Sequence, residues 1–173
     1  MTTPLPPRLR PAYDADERTQ LLGWLSMQRA VVHWKCAELS DEDAHRALLP
    51  TSPGMTVAGL VSHLRWVEHL WFEVVLLGGA KEGPLFKEDV EDAEMQVDGI
   101  ALTTLLDEYR QQCERSDEII AAHGLDDTGR HPDFPASAGS LRWILFHMIE
   151  ETARHAGHFD TIRELLDGAK GYY

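Results

Sequence analysis

Cysteine is nearly missing from this 173-residue chain: only Cys36 and Cys113 occur, far apart and within helical patterns. Neither a disulfide framework nor a CxxC motif is available to it, so a reduced, cytoplasmic setting is the simple expectation. Basic residues are scarce too, with 16 Lys and Arg against 29 Asp and Glu and a formal net charge of −13. Phosphate binding needs clustered cations, and none are clustered here, so no nucleic-acid partner is expected. No apolar run approaches a membrane span. The N-terminal MTTPLPPRLRPAYDADE sets prolines where a signal peptide needs an apolar stretch. The expectation is therefore a protein with no membrane partner. Alternating apolar patterns of useful length are also missing, which argues against a sheet.

What the chain does have is helical periodicity. Residues 1–14 carry four prolines and no period and are expected to form an extended arm, with 15–173 as one domain. A first helix is expected from about Asp16 to Leu39, its apolar side interrupted by Gln28 and Lys35. Residues 40–54 read as a loop with a helical turn, and Thr56 as the N-cap of a second helix that ends at Gly78 and Gly79. A long connection follows, in which the acidic run KEDVEDAEM, residues 87–95, reads as solvated surface. A third helix spans roughly residues 99–123, presenting Leu102, Leu105, Tyr109, Cys113, Ile119 and Ile120. After a loop over residues 124–139, Ser140 caps a fourth helix that runs to about Asp167. Four amphipathic helices with two long connections predict an all-α four-helix bundle with at least one crossover.

The chemistry concentrates in HMIEETARHAGH, residues 147–158. At about 100° per residue, Glu151, His155 and His158 lie within roughly 80° of His147 on the helical wheel. The apolar residues Ile144, Met148, Phe159, Ile162 and Leu166 spread from about 60° to 120° on the same wheel. Glu151 and His155 thus point toward the buried face, with His147 and His158 on its border. A carboxylate aimed at a core needs a counter-charge, a metal or a proton. The stripe alone leaves a metal pair and a hydrogen-bonded Glu–His pair equally open.

His63 adds a third group, because it stands in the centre of the apolar face of the second helix. His63, Glu151 and His155 form a two-histidine, one-carboxylate set, which binds zinc in hydrolytic sites and ferrous iron in oxygenases. The alternative is a core histidine hydrogen-bonded to Glu151. A di-iron site is not expected, since the only Glu-x-x-His spacing, Glu42 to His45, lies between helices, and HExxH is absent. His69 is expected on the surface, and His33, His45, His123 and His131 in surface, cap or loop roles. His158 could be a ligand, a neighbour of one or a proton carrier, and His147 and Arg154 lie at the periphery.

Two segments, SPGMTVAGLVSHLRWVEHLWF at 52–72 and SLRWILFHMIEETARHAGHFD at 140–160, resemble the DinB-like metalloenzyme superfamily, which includes bacillithiol- and mycothiol-dependent transferases. The resemblance covers nearly everything beyond the arm. Many members carry two histidines at the i, i+4 positions of the last helix; Glu151 and His155 here are similar to the mycothiol-dependent maleylpyruvate isomerase branch. The resemblance implies His63, Glu151 and His155 as ligands of a divalent metal, an up-down-down-up bundle and often a homodimer. Zinc is the first expectation for the metal, with nickel, iron or manganese as alternatives. The implied function is a metal-dependent enzyme acting on a small-molecule substrate with a low-molecular-weight thiol cosubstrate, as an S-transferase or isomerase; His158, one turn beyond His155, is the candidate catalytic proton carrier by its position. A metal-dependent hydrolase and a non-catalytic metal or small-ligand binding protein are the alternatives.

Overall fold

In the computed structural model, residues 4–171 are described, and helices supply all the regular structure among them. The first three residues of the expected arm and the last two of the expected domain lie outside the described residues. Four long helices dominate: α1 (Glu17–Cys36), α3 (Val57–Glu68), α4 (Leu102–Ala121) and α5 (Leu141–Asp167), with a single turn, α2 (Asp41–Ala44), between the first two. Helix α3 does not stop at Glu68 but widens into a π-helical segment, His69–Leu76. Helix α1 packs chiefly on α5, and α3 on α4.

The helix starts follow side-chain chemistry. Asp16, Ser40, Thr56 and Ser140 each accept a backbone N–H three residues on, satisfying donors that a helix N-terminus leaves orphaned. The ends depart from the sequence expectation. Helix α1 stops at Cys36 rather than near Leu39, because Ala37 is extended and Glu38 takes a left-handed φ of 63°. Helix α4 is shorter than residues 99–123 at both ends. Lys35, which interrupts the apolar side of α1, is nevertheless buried, its ammonium engaging Asp160 and the Gly171 carbonyl.

The core divides into two apolar clusters. One contains Val32, Leu60, Leu64, Tyr109 and Phe159; the other contains Leu25, Val67, Phe72, Ile120, Ile144 and Met148. Between them each long helix contributes polar side chains, interspersed with smaller apolar ones. Arg29 falls between Leu25 and Val32, Gln112 and Ser116 between Tyr109 and Ile119, and Glu151, Thr152 and His155 between Met148 and Phe159. On α3 the changeover from Leu64 to Val67 is flanked by His63 and Glu68. The bundle thus has a polar waist.

The connection from α3 to α4 is tied to α3. It holds two short 3₁₀ turns, Pro84–Phe86 and Ala93–Met95. Gly83, at φ 98°, lies against the Trp66 indole so closely that a Cβ there would collide with the ring. Gly59, inside α3, lets backbone approach in the same way: a Cβ would meet the Gly54 carbonyl oxygen and come within 3.2 Å of the Met95 carbonyl oxygen. A glycine inside a helix costs about 0.5–1 kcal/mol relative to alanine, and here that cost is the condition for the approach.

Candidate metal centre

His63, from the middle of α3, and Glu151 and His155, one turn apart on α5, meet at the waist. Their ligand-type atoms all lie within 4.8 Å of one another. His63 Nε2 and His155 Nε2 each stand 3.1 Å from the same oxygen, Glu151 Oε1. The two imidazole centroids are 4.7 Å apart. His155 is 8% exposed, and His63 and Glu151 are half-buried, so the cluster is sheltered but reachable.

The outer nitrogens are engaged as well. His63 Nδ1 is 2.9 Å from Glu94 Oε1, and His155 Nδ1 is 3.2 Å from His158 Nδ1. Glu94 corrects the sequence expectation, for the acidic run 87–95 is not uniformly solvated: Glu94 is only 6% exposed. No spacing rule could find it. Its turn reaches His63 by folding back across α3, a tertiary relation with no local period.

Proton counting shows what this geometry asks for. Both Glu94 and Glu151 are acceptors when ionised, so without a cation His63 must donate from both nitrogens, as an imidazolium. Burial opposes that charge, yet the hydrogen bonds to Glu151 and Glu94 outweigh it and raise the His63 pKa to about 9. The hydrogen bonds from His155 and His63 hold the Glu151 carboxyl far below the usual carboxylate range, and that from His63 lowers Glu94. A divalent cation at the convergence point could replace the proton on each inward nitrogen, leaving two neutral imidazoles and a carboxylate. The donor set therefore fits a metal such as zinc or ferrous iron.

Of the other histidines, one borders this point and the rest lie away from it. His158 is adjacent to it, its pKa lowered by burial and then by His155 and Arg154. His147 stacks on Trp143 and meets Trp71 edge-on, among aromatic rings rather than ligands, and Arg154 is exposed. His45 bonds backbone carbonyls of Asp41 and Val97. The assignments of His69 and His33 change, and His131 keeps its loop role. His69 is not a free surface residue but half-buried, paired with Glu73 at 3.0 Å and set edge-on to Trp66. His33 is half-buried and stacks on Tyr109, and His131 is buried within its loop.

A helical bundle that collects imidazoles and a carboxylate from facing helices has the architecture in which bundle proteins build metal sites. The chain belongs to the mycothiol-S-transferase family, whose model matches residues 20–168. This family lies within the DinB-like superfamily, as the two segments implied. No curated protein and no solved structure matches the chain. No helix among the described residues is long and apolar enough to cross a membrane.

Proposed function

We propose that this protein is a metal-dependent S-transferase that joins a low-molecular-weight thiol of the mycothiol type to a small electrophile, with His63, Glu151 and His155 as the metal ligands. The observation that carries this reading is the convergence of two imidazole nitrogens on one carboxylate oxygen, in a member of the mycothiol-S-transferase family. A divalent cation held there, zinc in the first instance, supplies the positive charge that turns a bound thiol into thiolate near neutral pH.

The chain's own residues account for the rest. Burial pushes the Cys36 thiol up to about 12 and raises Cys113 further still, so neither supplies a thiolate and the reacting sulfur comes from outside. Glu151 and His155 keep one register because they stand one turn apart on a capped, 27-residue helix. His158 is the proton carrier in this reading. Beside His155 at 3.2 Å, with a lowered pKa that keeps its ring neutral, His158 is a proton acceptor: it takes up the proton the thiol loses and, once protonated, returns it to the leaving group or to water. The α1–α5 and α3–α4 pairings support the up-down-down-up order of the superfamily, and a homodimer follows by the same resemblance.

The test is thiol consumption by zinc-loaded protein offered mycothiol, bacillithiol or glutathione with a panel of electrophiles. The expected result is saturable loss of thiol with mycothiol that disappears in Glu151→Ala. Absence of turnover with all three thiols overturns the transferase, and hydrolysis of ester or amide probes by the same preparation would put a metal-dependent hydrolase in its place.

A further inference from the structure

Glu94 is a buried carboxylate in a connection that otherwise exposes its charges, and its side chain bonds to an imidazole rather than to a Lys or Arg. We propose that Glu94 is a positioning residue for the metal centre: it fixes His63 as the Nδ1–H tautomer, aims Nε2 inward, and makes the α3–α4 connection a structural part of the site. This rests on the metal-site reading above.

The chemistry follows from the ring. A neutral imidazole carries one N–H and one lone pair. With the proton on Nδ1 and donated to Glu94 Oε1 at 2.9 Å, the lone pair must lie on Nε2, the nitrogen that faces Glu151 and stands near His155. Metal-binding histidines commonly donate the other N–H to a carboxylate or carbonyl in this way, which sets their orientation and raises their basicity. Charge is consistent too. Glu151 and Glu94 together bring two negative charges to the neighbourhood of one divalent cation.

The contact is held by more than one hydrogen bond. The connection touches α3 at Gly59, which the Met95 carbonyl approaches; at His63, which Glu94 meets; and at Trp66, on which Gly83 packs. These positions follow i, i+4, i+7 spacing and so share one stripe of the helix. The connection therefore runs along the stripe that carries His63. Fixing His63 on a metal should in turn steady the turn Ala93–Met95.

The experiment measures zinc affinity of wild type, Glu94→Gln and Met95→Ala by competition with a chromophoric chelator. It is paired with the histidine-ring proton–nitrogen correlation spectrum of the zinc-loaded proteins and with backbone hydrogen exchange over residues 90–97. Glu94→Gln should weaken zinc binding by about 10- to 100-fold, lose the protected His63 Nδ1–H signal, and show less zinc-dependent slowing of exchange. Met95→Ala, which disturbs the same turn without touching His63, should keep wild-type affinity. Wild-type affinity together with a retained Nδ1–H signal in Glu94→Gln overturns the proposal. So does equal weakening in Met95→Ala, which would assign the effect to packing of the turn. A wild-type protein that takes up no zinc overturns instead the metal centre itself.

Discussion

Two carboxylates lie at the waist of this bundle, and they are neutralised in opposite ways. Glu68 is 0% exposed, and Arg29 holds both its oxygens, Nε to Oε1 and Nη2 to Oε2, each at 2.7 Å. The third guanidinium nitrogen reaches Asp117 at 2.7 Å. Burial alone would lower the Arg29 pKa, but Glu68 more than offsets this and the guanidinium stays fully charged. Glu151, by contrast, meets no guanidinium or ammonium among the described residues. It faces two imidazoles, rings whose inward nitrogens can carry either a proton or a lone pair for a metal. The first pair is closed and can do little but hold helices together. The second is arranged so that something else can take the place of a proton. Within one waist the protein separates a structural charge from an exchangeable one.

The sharpest way to break this contrast is Arg29→Ala. Leaving Glu68 buried without its partner should cost about 3–5 kcal/mol of stability, read as a fall in denaturation midpoint, and removing zinc should not change that cost. The ligand variants should behave differently. His63→Ala, Glu151→Ala and His155→Ala should each abolish stoichiometric zinc binding, measured by elemental analysis of dialysed protein, while destabilising the metal-free fold by less than Arg29→Ala does. His69→Ala should keep its zinc, and full metal content in any of the other three would remove that residue from the ligand set.

A pH series sharpens the comparison further. The His63 pKa is raised in the fold to about 9 from an ordinary value of 6.5. Its contribution to metal-free stability should therefore be complete below about pH 6.5 and be lost as pH rises through about 9. Urea midpoints of the metal-free protein should fall across that window, and the fall should vanish in His63→Gln; a flat profile in wild type would deny the imidazolium. The smallest effect is expected at the helix starts. Thr56→Ala removes the cap that accepts Gly59 N–H at 2.9 Å and should cost about 1 kcal/mol without changing zinc stoichiometry.

Much of the site was legible because it obeys helical period. Glu151, His155 and His158 are related by single turns, and a histidine in the middle of the apolar face of α3 had to find a buried partner. The caps Thr56 and Ser140 were equally readable, since capping is local chemistry. What escaped were the tertiary contacts whose partners no helical period marks. Glu94 sits among exposed acids in sequence and differs from them only because its turn folds back onto His63. Lys35 and Arg29 are charges on an apolar face whose partners lie on other helices or in the C-terminal segment. The π-helical widening after Glu68 leaves no mark in a 3.6-residue pattern, because the apolar residues His69–Leu76 encloses are consistent with either winding.

Gly59 carries a lesson for anyone who sets out to make this protein more robust. A glycine inside a helix is an ordinary first target for replacement by alanine, with a gain of about 0.4–1 kcal/mol where the conformation allows it. Here the added methyl group would press on the carbonyls of Gly54 and Met95 and push the turn bearing Glu94 away from His63. The same substitution that improves helix propensity would loosen the imidazole one turn further on. Fold stability and ligand geometry depend together on a single hydrogen atom in place of a side chain, and a screen for either would reject the substitution.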